Sequence, residues 1–317
     1  MCQSPTGSMQ TRPSSTRSLL DIDDLSRDEI ASVIRRSGEF RTKLPDRSLL
    51  AGVPVLNLFF EASTRTATSF TLAEQRVGAD VISFAPGTSS LGKGETIADT
   101  AITLRAIGVR VIVVRHNESG FPRRLAESFD GHVVNAGDGT RAHPTQALLD
   151  LATLHAEFGR FEGLRVAIVG DILHSRVARS NIVGMKMLGI DVTLVGPPTL
   201  LPDDFAQDGV RIERDFDAVL PRVDAVMMLR VQRERIAASL LPALADYTIG
   251  YQLGTQRLRL LPKGAVILHP GPYNRGVELT DEALADPRSR YEAQVTNGVY
   301  IRMAALDLLV NGLAVGA

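Results

Sequence analysis

A single cysteine, Cys2, stands in 317 residues, and tryptophan is absent. A lone thiol rules out an internal disulfide framework and gives zinc no cysteine cluster, which fits a reducing compartment. Neither sign of charge dominates. The 35 Lys and Arg against 36 Asp and Glu leave a formal net charge of −1, so no global field favours nucleic acid or an anionic membrane, and any anion site must be local. No apolar run approaches the ~18 residues of a membrane span. The amino terminus, MCQSPTGSMQTRPSSTRS, lacks the apolar core of a secretion signal. The expectation is a cytoplasmic protein in which residues 1–17, rich in Ser, Thr and Pro, form a loose extension.

What remains is ordinary globular chain, 44% hydrophobic and 22% charged, long enough for two domains with substantial cores. Strand-like apolar runs at 53–60, 79–84, 109–114 and 132–135 alternate with helical patterns such as 95–106. A second series follows at 165–169, 190–195, 210–213, 224–229 and 265–268. The alternation predicts an α/β fold of two similar domains, each a mainly parallel sheet flanked by helices. The stretch 144–158 reads as one long amphipathic helix joining them. The boundaries expected are 18–148 and 149–294, with a last helix at 295–310 packing back on the first domain.

The most informative segment is VPVLNLFFEASTRT, residues 53–66. An apolar strand runs into Ser63, Thr64, Arg65 and Thr66, and then Phe70, Leu72, Ala73 and Val77 give the next stretch an apolar face at helical spacing. A helix start offers unpaired N–H groups and the positive end of the macrodipole, so hydroxyls and a guanidinium placed there suit a phosphate dianion. The same residues suit a plain N-cap by Ser63 or Thr64. Ser15, Thr16 and Arg17 repeat the triplet with no strand before it, and read as tail.

Other loops follow strands in the same way. Ser89–Glu95 is glycine-flanked and presents Ser90 and Lys93; alone it equally fits a solvated connector. Arg115 closes the third strand, and His143 precedes Pro144, which biases it toward extended backbone beside Gln146. The second half contributes Arg176, Arg230, Gln232 and the turn His269-Pro270-Gly271-Pro272. Arg179, Arg233 and Arg235 nearby read as surface or ion-pair residues. Gly170 follows a strand, but bulky Ile172, Leu173 and His174 stand where a dinucleotide fingerprint needs glycine, and no Walker loop is present. No nucleotide cofactor and no metal is expected.

In this order STRT, SSLGKGE, Arg115-His116, HPTQ, RVQ and HPGP resemble the catalytic chains of aspartate carbamoyltransferases, from about Leu19 onward. STRT and HPTQ are shared with ornithine carbamoyltransferases. Those enzymes are expected to carry HCLP and SMG segments for a diamine, whereas Arg230 and Gln232 suit a dicarboxylate and repel an ammonium. The resemblance implies a carbamoyl-phosphate-binding first domain and an aspartate-binding second one, serving the committed step of pyrimidine synthesis. By it, Ser63, Thr64, Arg65, Thr66 and Arg115 hold phosphate; Thr66, Arg115 and His143 polarise the carbonyl; Gln146 and the carbonyls of Pro270 and Gly271 bind the carbamoyl amide. Lys93, Arg176, Arg230 and Gln232 would hold aspartate. Ser90 and Lys93 would enter the site of a neighbouring subunit, making a homotrimer with shared sites. Regulatory chains and a dihydroorotase are further partners it brings into consideration. A carbamoyltransferase for another amino acid, and a binding subunit without chemistry, are the alternatives.

Overall fold

The computed structural model describes residues 17–84, 96–232 and 244–312. The predicted segment 1–16, Ser90, Lys93, Arg233 and Arg235 therefore lie outside the described residues. The first sheet is parallel, of order β2-β1-β3-β4, from β1 (Pro54–Phe59), β2 (Asp80–Phe84), β3 (Val111–His116) and β4 (His132–Asp138). The second, also parallel, is β7-β6-β5-β8-β9: β5 (Arg165–Val169), β6 (Asp191–Val195), β7 (Arg211–Glu213), β8 (Ala225–Met228) and β9 (Val266–Leu268).

Helices cover both sheets, which is why the strands read as continuous apolar runs. Alternation along β1 and β3 sends Val55, Val111 and Val113 into one core, and Leu56, Leu58, Ile112 and Val114 into another. Helix α3 (Ile97–Ala106) and α4 (Phe121–Ser128) give Ala101 and Leu125 to the second of these. The first core continues through α1 (Arg27–Thr42), α2 (Thr64–Val77), α5 (Pro144–Phe158) and α6 (Arg176–Met187) to Val166, Ile168, Leu194 and Met227 of the other sheet.

Helix α5 is the element common to both halves. Pro144 enters it in the first turn and Gly159, at φ 67°, ends it in the left-handed region. Every residue from Pro144 to Leu154 is buried, Thr145, Gln146, Asp150 and Thr153 among them, so the predicted amphipathic pattern is replaced by burial on all sides. Truncating Leu151 to alanine there costs about 2–5 kcal/mol. Short helices α7 (Phe216–Val219), α8 (Leu244–Tyr251), α9 (Thr255–Leu260) and α10 (Asp281–Ala285) complete the second half. The last helix, α11 (Tyr291–Asn311), begins four residues before the sequence pattern and packs on α1, α2 and α5.

Three local expectations are corrected. Ser63 is the N-cap of α2, but its hydroxyl makes no capping hydrogen bond. Leu72, counted on the apolar face, is 36% exposed, because Thr66 and Glu74 take buried positions on α2 instead. Arg17 is no loose tail residue: it pairs with Glu29, donates to the Asp24 carbonyl at 3.1 Å, and its own carbonyl lies 2.8 Å from His132 Nδ1.

Candidate active site

Strand order decides where a ligand fits. In the first sheet β1 lies between β2 and β3, and in the second β5 lies between β6 and β8. Connections leaving the two central strands diverge, which opens a crevice beyond their carboxyl ends. The crevices of the two sheets share one cavity of about 650 Å³.

Ser63, Thr64, Arg65 and Thr66 line it from the connection after β1 and the first turn of α2. Ser63 has φ −155° and ψ 87°, so the chain turns sharply before the helix starts. With no cap from the Ser63 side chain, the first N–H groups of α2 are available to an anion. Arg65 is exposed, while Thr66 is 9% exposed at the cavity floor.

Arg115 is the penultimate residue of β3 and Arg176 begins α6, so they approach the cavity from different halves of the chain. A single carboxylate bridges them: Glu61 Oε2 accepts Arg115 Nε at 3.1 Å and Arg176 Nη2 at 2.9 Å. Arg115 also donates to the Ala136 carbonyl at 3.2 Å and Arg176 to that of Gly139 at 3.2 Å. Glycine is required between them. A Cβ on Gly137, which has φ 117°, would lie 3.1 Å from both Arg115 Nη1 and Arg176 Cζ.

His143 is the N-cap residue of α5 at φ −149°, ψ 74°, non-helical as the following proline requires but short of the extended backbone expected. Its N–H donates to Ser180 Oγ at 2.9 Å, and its Nδ1 has no hydrogen-bond partner among the described residues. Burial first, then the cations Arg115, Arg176 and Arg302, hold its pKa well below the usual histidine range. The imidazole is therefore neutral near pH 7, able to donate one hydrogen bond.

Gln146 lies one turn further along α5. Facing it, Pro270 and Gly271 follow β9; Gly271, at φ 65°, sits so close to α2 that a Cβ there would be 3.2 Å from Arg65 Nε. Arg230 and Gln232 follow β8 and line the same cavity, with Gln232 Nε2 donating to the His174 carbonyl at 3.1 Å. The sequence candidates 63–66, 115, 143, 146, 176, 230, 232, 270 and 271 thus meet in one hollow. Arg179 does not: its guanidinium lies over Phe205, 5.0 Å from the ring centroid. His116, next to Arg115, stacks on Phe121 with ring centroids 3.9 Å apart.

Sequence reasoning missed Glu61, Ser69 and Arg302, which also line the cavity. Arg302 comes from α11, is 3% exposed, and donates to Ser69 Oγ at 2.7 Å. Burial lowers its pKa to about 10, opposed by Asp150, so it remains a cation. The available signal was an arginine inside the apolar run VYIRMAALDLL. Among the described residues no group of His, Cys, Asp and Glu is arranged to hold a metal ion. None of their helices is long and apolar enough to cross a membrane.

The family profile for the aspartate/ornithine carbamoyltransferase carbamoyl-P binding domain matches residues 17–156, and that for the Asp/Orn binding domain matches 162–309. The aspartate carbamoyltransferase catalytic subunit of Acidothermus cellulolyticus is 50% identical over 301 residues, covering 93% of each chain. That of Salinispora arenicola is 52% identical over 288 residues, 90% of this chain and 92% of the relative. Among solved structures, aspartate transcarbamoylase from Trypanosoma cruzi in complex with N-(phosphonacetyl)-L-aspartic acid superposes with a TM-score of 0.83 at 34% identity. It covers 92% of this chain and 95% of that one. The same enzyme with carbamoyl phosphate and aspartate gives 0.83 at 33%, covering 92% and 96%.

Proposed function

Since the chain belongs to the aspartate/ornithine carbamoyltransferase family, we propose that it transfers the carbamoyl group of carbamoyl phosphate to the amine of L-aspartate. The products are N-carbamoyl-L-aspartate and phosphate, the committed step of pyrimidine nucleotide synthesis. One observation carries this reading: the helix-start cradle of the first half and Arg230 with Gln232 of the second line a single cavity.

In it, Ser63, Thr64, Arg65 and Thr66 hold the phosphate with Arg115, as hydroxyls, helix N–H groups and guanidinium donors suit a dianion. Thr66, Arg115 and neutral His143 donate to the carbonyl oxygen, whose negative charge grows as the amine attacks. Gln146 and the carbonyls of Pro270 and Gly271 take the carbamoyl amide. Arg176, Arg230 and Gln232 orient the two carboxylates of aspartate. The tetrahedral intermediate collapses with loss of phosphate, and the departing phosphate accepts the amine proton. Positioning and side-chain cations supply the catalysis, so the transfer needs neither metal nor covalent enzyme intermediate.

The functional assembly we favour is a homotrimer in which Ser90 and Lys93 of a neighbour complete each site. Ile82, Ile102 and Ile107, on the elements flanking 85–95, are 40%, 61% and 71% exposed, and an interface would cover them. The absence of a membrane-spanning helix among the described residues is consistent with a cytoplasmic setting. The test is carbamoylation of aspartate, ornithine and N-acetylornithine compared side by side. Product from aspartate alone is expected, and turnover of ornithine without aspartate would overturn the assignment.

A further inference from the structure

A glutamine side chain can present either its oxygen or its nitrogen to a ligand, and its other hydrogen bonds decide which. Gln146 has its nitrogen committed: Nε2 donates to Asp150 Oδ1 at 3.0 Å. Asp150 is fully buried and gathers two more amides. Gln294 Nε2 on α11 donates to Oδ1 at 2.7 Å, and Asn181 Nδ2 on α6 donates to Oδ2 at 2.8 Å. An ionised carboxylate only accepts, so above its raised pKa all three amides turn nitrogen toward it.

With Nε2 turned to Asp150, Gln146 Oε1 at the other end of the amide is the acceptor it can offer to the cavity it lines. Gln294 is set likewise, and its Oε1 accepts the His269 N–H at 2.9 Å. His269 Nδ1 in turn accepts the Gly271 N–H at 2.8 Å, which indexes the turn bearing the Pro270 and Gly271 carbonyls to the same carboxylate. Gln146 Oε1 and the Pro270 and Gly271 carbonyls are thus acceptors on residues that line one cavity. An acceptor set of this kind binds an –NH2 and gains nothing from a methyl group of the same size.

We propose that Asp150 is a positioning residue which, by fixing the Gln146 amide and the His269–Gly271 turn, makes the site select a carbamoyl over an acetyl group. This rests on the reading of the cavity as a carbamoyl-phosphate site. Burial pushes the Asp150 carboxyl up to about 7 against the three amide donors and nearby Arg302. A purely structural acid tying α5, α6 and α11 together would instead weaken every ligand alike when altered.

The experiment is Asp150→Asn, with carbamoyl phosphate as substrate and acetyl phosphate as competitive inhibitor. Asparagine places an N–H2 against an amide donor and turns at least one partner round. Selectivity for carbamoyl over acetyl phosphate is expected to fall about tenfold or more, through loss of carbamoyl phosphate affinity. An unchanged ratio overturns the proposal. Should Asp150→Asn fail to fold, Gln294→Met, which cuts the link to the turn, is read by the same ratio and the same criterion. Wild-type turnover is measured first: a protein that does not use carbamoyl phosphate loses both readings, whereas an active one with an unmoved ratio loses only this one.

Discussion

The two walls of the cavity present their donors by different means. The wall at 63–66 is a helix start, where N–H groups, short hydroxyls and Arg65 converge within one turn. The wall at 230–232 follows a strand and relies on a long side chain, Arg230, with one amide, Gln232. On the proposed reading a local motif recognises phosphate, whereas the acceptor's carboxylates meet a charge pattern that a few substitutions could redirect. The difference explains how one family serves aspartate and ornithine with a common first half.

Arg65→Ala breaks the comparison hardest. Removing the cradle's one guanidinium is expected to lower kcat/KM about 10³-fold or more, while the thermal midpoint stays put because Arg65 is exposed. Steady-state kinetics within tenfold of wild type would remove Arg65 from the phosphate contacts. Arg230→Ala probes the other wall. Its KM for aspartate should rise about 10–100-fold as one charged hydrogen bond is lost, with the KM for carbamoyl phosphate changed less than about threefold. Equal shifts in both constants would mean that the walls do not divide the work.

Gly137→Ala acts where the walls join, since its Cβ would press on Arg115 and Arg176 at once. A cost of 1–3 kcal/mol in strained backbone predicts roughly a tenfold loss of kcat/KM, and full activity would show that the two arginines tolerate being moved. The smallest effect on turnover belongs to Glu74→Gln, behind the cradle on α2. Glu74 is fully buried, Asn57 Nδ2 donates to its Oε2 at 2.6 Å, and neither Glu74 Oε1 nor Asn57 Oδ1 has a partner among the described residues. Burial raises its pKa to about 7 from 4.5.

For a carboxyl with a raised folded pKa, ionisation costs stability between the unfolded and folded values, and the full cost applies above the folded one. Glutamine removes that cost and can donate to Asn57 Oδ1. The variant is expected to be about 3 kcal/mol more stable at pH 8. The gain should disappear as the pH falls to about 4.5. Denaturant unfolding across that range checks it, and a loss of stability at pH 8 would contradict it.

Features carried by neighbouring residues were legible in the sequence. Strand β5 was read at its observed bounds and the other strands to within a few residues, because buried parallel strands are apolar throughout. The cradle was legible because four adjacent residues make it. Glu61 was not, since its role exists only when Arg115 and Arg176, 61 positions apart by number, arrive on either side of one carboxylate. Arg302 and Asp150 were hidden for a related reason: an ionisable residue in an apolar helix shows that something must satisfy it, but the partners lie on other elements. Helix α5 misled in degree, because a helix packed between two domains keeps no solvent face until its last turn, where His155, Ala156 and Glu157 are exposed.

The central claim is that both substrates occupy one hollow at the same time. Equilibrium binding of a bisubstrate analogue, a phosphonate joined through an amide to an aspartate-like dicarboxylate, tests it most directly. The account predicts affinity at least about 10²-fold tighter than that of either the phosphonate or the dicarboxylate fragment alone. Affinity no better than the stronger fragment would show that Arg65 and Arg230 serve separate sites.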